Sequence, residues 1–137
     1  MNLVPYLHFD GNCEEALNHY KECLGGEIVG IQRYDSAPMD VPENHKNKIL
    51  HARFRFGNNM IMASDVFPGE GITNDSRVEL AINLSDEERT KTIFKKLSSG
   101  GTVQMPLEKQ FWGALYGKFD DKFGIRWMVN CELKEGA

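Results

Sequence analysis

Two Gly-Gly pairs, Gly25-Gly26 and Gly100-Gly101, stand 75 residues apart in a chain of 137, and each closes the same kind of segment. Before the first pair, Ala16, Leu17, Tyr20 and Leu24 recur at helical spacing; before the second, Ile93, Phe94 and Leu97 do so. Glycine just past the last apolar position reads as a helix stop, because it takes the left-handed backbone there at no steric cost. Each helix also opens on a capping signal. Asn12 has Glu15 three residues on, and Ser85 has Glu88 three residues on. An apolar, strand-like run precedes each helix, Leu3 to Phe9 in the first half and Val78 to Leu84 in the second. Strand signals then follow at 27–34, 49–56 and 60–64, and again at 102–108, 114–119 and 125–132. The order strand-helix-strand-strand-strand is written twice, with a period too long for a solenoid.

That duplication sets the fold. Four strands carrying one helix bury only one face of their sheet well. Pairing two such halves answers this and leaves a concave sheet surface between them. The expectation is one α+β domain over residues 1–137, built of two tandem βαβββ modules forming curved mixed sheets. Their bounds are about 1–65 and about 76–133. Two segments fall outside the repeat. Asp35 to Lys48 carries Pro38 and Pro42 without periodicity and reads as a long loop, a lid or a rim. Asp65 to Arg77 reads as a connector.

Composition excludes several classes of function. With 41% hydrophobic and 26% charged residues the chain is globular rather than disordered. A net charge of -4 argues against non-specific nucleic-acid binding, which rests on Lys and Arg at phosphates. No apolar run approaches the ~20 residues that span a bilayer, and Met1 to Phe9 has no secretory pattern, so no membrane association is expected and a cytoplasmic location is. Cys13, Cys23 and Cys131 form no CxxC and read as reduced thiols. No HExxH, GxSxG or P-loop pattern occurs.

The stretch Pro5-Tyr6-Leu7-His8-Phe9-Asp10-Gly11-Asn12-Cys13, with Ala16, Tyr20 and Leu24-Gly25-Gly26, resembles PhnB-like proteins. So do Phe111-Trp112-Gly113, Gly117-Lys118, Asp121-Lys122-Phe123-Gly124 and Trp127-Met128-Val129-Asn130. The doubled module resembles the vicinal oxygen chelate superfamily, which includes glyoxalase I and the bleomycin- and fosfomycin-resistance proteins. The resemblance implies a homodimer with a ligand cup in each curved sheet. It also implies four metal-ligand positions, on the first and fourth strands of each module. These fall at Val4, Met62, Glu79 and Met128. Divalent ions in such sites take oxygen or imidazole donors, and a thioether is a soft ligand. Only Glu79 suits, so no cofactor is expected, with a divalent metal as the alternative. PhnB-like proteins are sometimes described as 3-demethylubiquinone 3-methyltransferase-like. The usual methyltransferase needs a parallel α/β sheet with a Gly-rich turn, and neither is written here.

Strand alternation names the residues facing the cup. Leu7 and Phe9 belong to the helix side, leaving Tyr6 and His8 for the cup; Met60, Met62 and Ser64 follow on the fourth strand. Arg53 and Arg55 share that side of the third strand. In the second half Glu79, Ala81, Asn83, Met128 and Asn130 face inward. His8 is a candidate base or donor. Glu79 is either an acid-base carboxyl or a salt-bridge partner of Arg53 or Arg55. Arg53, Arg55 and Lys118 either select an anion or form a solvated face. Tyr6, Trp112 and Tyr116 either stack a planar ligand or serve as core or dimer interface. Met60, Met62 and Met128 read as an adaptable pocket floor or as packing. His51 starts a strand and can reach the rim.

Three functions fit. The leading one is metal-independent binding of a small, anionic, partly aromatic molecule in the cup. The second is an isomerase or lyase using His8 and Glu79 as acid and base. The third is a dimeric interaction domain whose cup is filled by its own side chains.

Overall fold

The structure is a computed structural model, and it describes residues 1–73 and 78–133. The chain divides into two compact units, Met1–Thr73 and Asn74–Ala137. In the first, β1 (Tyr6–Phe9), α1 (Cys13–Leu24), β2 (Glu27–Arg33), β3 (Ile49–Phe56) and β4 (Asn59–Asp65) follow one another. The second repeats the series as β5 (Leu80–Leu84), α2 (Glu87–Leu97), β6 (Thr102–Lys109), β7 (Ala114–Asp120) and β8 (Arg126–Glu132). The sheets have the same order, β1-β4-β3-β2 and β5-β8-β7-β6. In each, the first strand runs parallel to the last and the other neighbours are antiparallel. The fold is α+β, two four-stranded mixed sheets with one helix each, as the duplication predicts.

Apolar periodicity explains the layering. Cys13, Ala16, Leu17, Tyr20 and Leu24 form the buried stripe of α1; Thr90, Ile93, Phe94 and Leu97 form that of α2. The alternate strand residues Leu7, Phe9, Ala52, Phe54, Ile61 and Ala63 are buried in the first unit, and Phe119, Trp127, Val129 and Cys131 in the second. Phe94 of α2 meets Phe119 edge to face at 5.1 Å. The Gly-Gly pairs do more than stop helices. A Cβ on Gly26 would run into the Arg55 carbonyl oxygen, and one on Gly101 into the Asp120 carbonyl oxygen. At both places the chain must pass bare against a strand backbone.

Two expectations are corrected. The Asn12 side chain makes no cap bond. Asp65, at the end of β4, accepts from the Cys13 amide at 2.9 Å instead, and from the Ile49 amide at 2.8 Å. A carboxylate delivered by tertiary structure serves an orphan helix donor as well as a local cap does. In α2 the cap is Asp86 rather than Ser85, accepting from the Arg89 amide at 3.0 Å. The 35–48 segment is a loop, as expected, and it is fastened to its own unit. It contains short 3-10 turns at Tyr34–Ser36 and Glu43–His45. The Tyr34 amide bonds to the Lys48 carbonyl and the Asp35 amide to the Lys46 carbonyl. Tyr34 and Val41 are buried, and the Tyr34 hydroxyl donates to the Asp65 carbonyl at 2.8 Å. Among the described residues no helix is long and apolar enough to cross a membrane.

Candidate functional site

Each sheet turns one face to its helix and leaves the other open, and the predicted site residues lie on the open faces. In the first unit, ladder register aligns Tyr6, Met62, Arg53 and Gly30 across four strands. His8 lies beside Ser64, and His51 lies two residues from Arg53 on β3. Three rings, from β1 and β3, meet across β4. Tyr6 and His8 have centroids 5.0 Å apart, and Tyr6 and His51 5.7 Å apart. The Tyr6 hydroxyl and His51 Nδ1 share a hydrogen bond of 3.1 Å. Tyr6 remains 40% exposed and Arg53 is exposed. Arg55 is drawn toward Glu27 at 3.6 Å on the neighbouring strand.

In the second unit the matching row is Ala81, Met128, Lys118 and Met105, and the next is Asn83, Asn130 and Tyr116 with Glu108. Glu79 stands just before β5 and meets Lys118 at 2.6 Å; their side chains are 14% and 26% exposed. The anticipated partners were Arg53 or Arg55. The pair forms with Lys118 because β8 alone separates β5 from β7, so both side chains rise from the same face. Arg126 reaches both oxygens of Asp120, at 2.7 and 3.0 Å, and Gln104 adds a bond of 2.9 Å. The Arg126 guanidinium holds the Asp120 carboxyl below the usual carboxylate range. The Tyr116 hydroxyl lies 3.8 Å from the Met128 sulfur. Trp112, at the β6–β7 turn, packs edge-on against Tyr116 and Phe111 and stays 52% exposed, while Phe111 is 97% exposed.

Structure therefore groups Tyr6, His8, Arg53 and Met62 on one face, with Arg55 at its β2 side. It groups Glu79, Tyr116, Met128 and Asn130 on the other, with Trp112 at the turn. His51 joins the first set through Tyr6. Its signal was in the sequence, since it shares strand parity with Arg53 and Arg55.

A groove of about 820 Å³ opens elsewhere on the first unit, lined by Glu14, Arg33, Asn47, Lys48 and Asp65 among others. Its cations are already engaged. Arg33 holds Glu14 at 2.9 and 3.0 Å and the Asn47 carbonyl at 2.8 Å, and Lys48 holds the Gly11 carbonyl at 2.8 Å. It offers a ligand no unpaired cation, so the open faces remain the stronger candidates.

The metal positions implied by resemblance are filled by Val4, Met62, Glu79 and Met128. One hydrocarbon and two thioethers are poor donors for a hard divalent ion, and the one carboxylate is bonded to Lys118. This donor set does not fit such a metal.

A doubled βαβββ fold with two open sheet faces is that of the glyoxalase/bleomycin resistance/dioxygenase superfamily. A domain of that description from Frankia superposes with a TM-score of 0.69 over 100% of this chain and 95% of its own, at 12% identity. Within that fold, residues 1–130 match the family model described as 3-demethylubiquinone-9 3-methyltransferase, and the chain belongs to that PhnB-like family. It is 32% identical to protein YjdN of Escherichia coli, covering 95% of each. It is similar to the solved structure of protein PA1353 from Pseudomonas aeruginosa, with 39% identity, a TM-score of 0.88, and 98% and 99% coverage. The PhnB protein of Bacillus cereus, which carries the same methyltransferase name, shares 29% identity and a TM-score of 0.82, covering 98% of this chain and 100% of its own.

Proposed function

We propose that this protein binds a small organic molecule on its open sheet faces without a metal ion. The observation that carries this reading is the Glu79–Lys118 pair at 2.6 Å. The one hard donor among the four implied ligand positions is already neutralised. What remains on the faces is thioether, aromatic ring, imidazole, amide and the exposed Arg53 guanidinium, which hold a guest by shape and polarity.

The same pair weighs against acid-base chemistry, because a Glu79 oxygen is already taken up by Lys118 instead of facing a guest alone. A methyltransferase reading finds little support either. Each sheet has one parallel pair, β1–β4 or β5–β8, and lacks the doubly wound strand order that places a cofactor at a Gly-rich turn. A homodimer is the expected state from the family resemblance, and the exposed Phe111 and Trp112 offer apolar area to a second copy.

The test combines metal analysis with binding. Protein labelled at its methionine methyls is purified without added metal, incubated with Mn(II) or Zn(II), desalted, and screened by NMR against small aromatic fragments with and without EDTA. The expected result is well under one ion per chain, with fragments shifting the Met62 or Met128 methyl equally in EDTA. A stoichiometric ion that is lost in Glu79→Ala would overturn the proposal.

A further inference from the structure

We propose that the open face of the first unit, and not that of the second, takes a planar aromatic carboxylate, with Arg53 as its anchor; this rests on the small-molecule reading above and deepens it. The duplication supplies an internal control. Arg53 and Lys118 hold the same register place on the ladder between their units' third and last strands, opposite Met62 and Met128. Two residues before Ala81, which stands beside Met128, comes Glu79, and it takes up Lys118. Two residues before Tyr6, which stands beside Met62, comes Val4. The second face cancels its own cation and the first has no carboxylate at that place. Among the described residues the Arg53 guanidinium makes no hydrogen bond or ion pair, whereas Arg55 beside it has Glu27.

The ground beside Arg53 is also cleared. Its ladder neighbour is Gly30, where a Cβ would lie 3.6 Å from one terminal nitrogen of Arg53 and 3.8 Å from Nε. Glycine inside a strand weakens it and marks a place where another group approaches closely. Here that group is the guanidinium, lying along bare backbone. At the matching place the second unit has Met105.

The distances select the guest. One strand, β4, separates Tyr6 from Arg53, so their backbones stand about 10 Å apart with the Met62 thioether between them. A guest ring set beside Met62 and against the Tyr6–His8–His51 cluster, which spans β4, would project a carboxylate toward the Arg53 fork. That fork matches a planar carboxylate with two parallel hydrogen bonds. Thioether sulfur and aromatic rings attract one another at such contacts. A bare anion would lose the ring contacts, and a neutral ring would lose the fork.

The test uses benzoate, benzamide and acetate as probes on the full chain, followed by methionine-methyl and amide NMR with titration. Benzoate is expected to shift Met62 and the 51–53 amides while leaving Met128 unmoved, and to bind more tightly than benzamide or acetate. Arg53→Gln should weaken benzoate by roughly tenfold or more, Arg53→Lys by less, and the remote charge control Lys96→Gln not at all. Equal binding to Arg53→Gln, equal binding of benzamide, or shifts centred on Met128 would overturn the proposal. If benzoate fails but neutral aromatic fragments move either methyl, the anion assignment falls and the binding function stands. If no fragment moves either methyl, both fall.

Discussion

Glu79 and Lys118, 39 positions apart in sequence, stand 2.6 Å from each other on the second sheet, a contact that the open face of the first unit does not repeat at Arg53. Glu79→Gln removes the carboxylate charge and releases the ammonium. The expected outcome is a second face that accepts benzoate, read as a new shift at the Met128 methyl and a change from one to two ligands per chain. The pair is only partly exposed, so a stability loss of about 1 kcal/mol should accompany it. Benzoate binding that leaves Met128 unmoved in this variant would show that the ion pair does not gate the second face.

Asp65 is 2% exposed and joins three elements. Its oxygens take the amides of Cys13 at the start of α1 and Ile49 at the start of β3, and its carbonyl takes the Tyr34 hydroxyl. Asp65→Ala leaves two buried amides without a partner, at about 1–3 kcal/mol each. Urea unfolding followed by circular dichroism should show a loss of about 2–6 kcal/mol, and amide exchange should rise first at Cys13 and Ile49. Asp65→Asn keeps one acceptor oxygen and should lose about half as much. A loss below about 0.5 kcal/mol in the alanine variant would mean water replaces the carboxylate without cost.

The duplicated element order was legible because it is local. Periods of two and 3.6, and glycine after the last apolar residue, need no tertiary knowledge. Parity alone put Tyr6 and His8 opposite Leu7 and Phe9, and Arg53 and Arg55 opposite Ala52 and Phe54. Partnerships were not legible in the same way. Asn12 has the composition of a helix cap, yet Asp65 does that work from 52 residues away. Parity pointed from Glu79 to Arg53 or Arg55, and strand order chose Lys118 instead. The 35–48 segment lacks periodicity because its fastening is non-local. It depends on Tyr34 and Val41 being buried and on the Lys48 carbonyl returning to Tyr34. Alternation finds faces, whereas register and order decide which side chains meet on them.

The three thiols should separate by burial. Cys13 and Cys131 are fully buried, Cys23 is partly exposed beside His19, and none is in a disulfide. Burial, with the Asp65 and Glu14 carboxylates nearby, pushes the Cys13 thiol far above the ordinary cysteine range, so it stays protonated and unreactive. Native protein treated with a thiol-disulfide reagent at pH 8 should label at Cys23 alone, with Cys13 and Cys131 reacting only in denaturant. Rapid native labelling of Cys13, located by mass spectrometry, would show that the α1 N-terminus opens readily.

Acid sensitivity follows from one carboxylate in each unit. The Arg33 hydrogen bonds hold Glu14 below its usual range, and those of Arg126 hold Asp120 below its own. A carboxyl whose proton affinity is lower folded than unfolded contributes its stability fully above the ordinary carboxylate range of about 4. That contribution fades as pH falls through the folded values, because the unfolded chain takes up protons first. Glu14 is exposed and Asp120 partly so, and solvent and salt screen each contribution. The urea midpoint of the native protein should therefore hold steady from pH 7 to about 5 and fall below about 4. The Glu14→Gln/Asp120→Asn double variant should begin lower at pH 7 and lose less on acidification, so that the two curves converge. Parallel curves across that range would assign the acid transition to other groups.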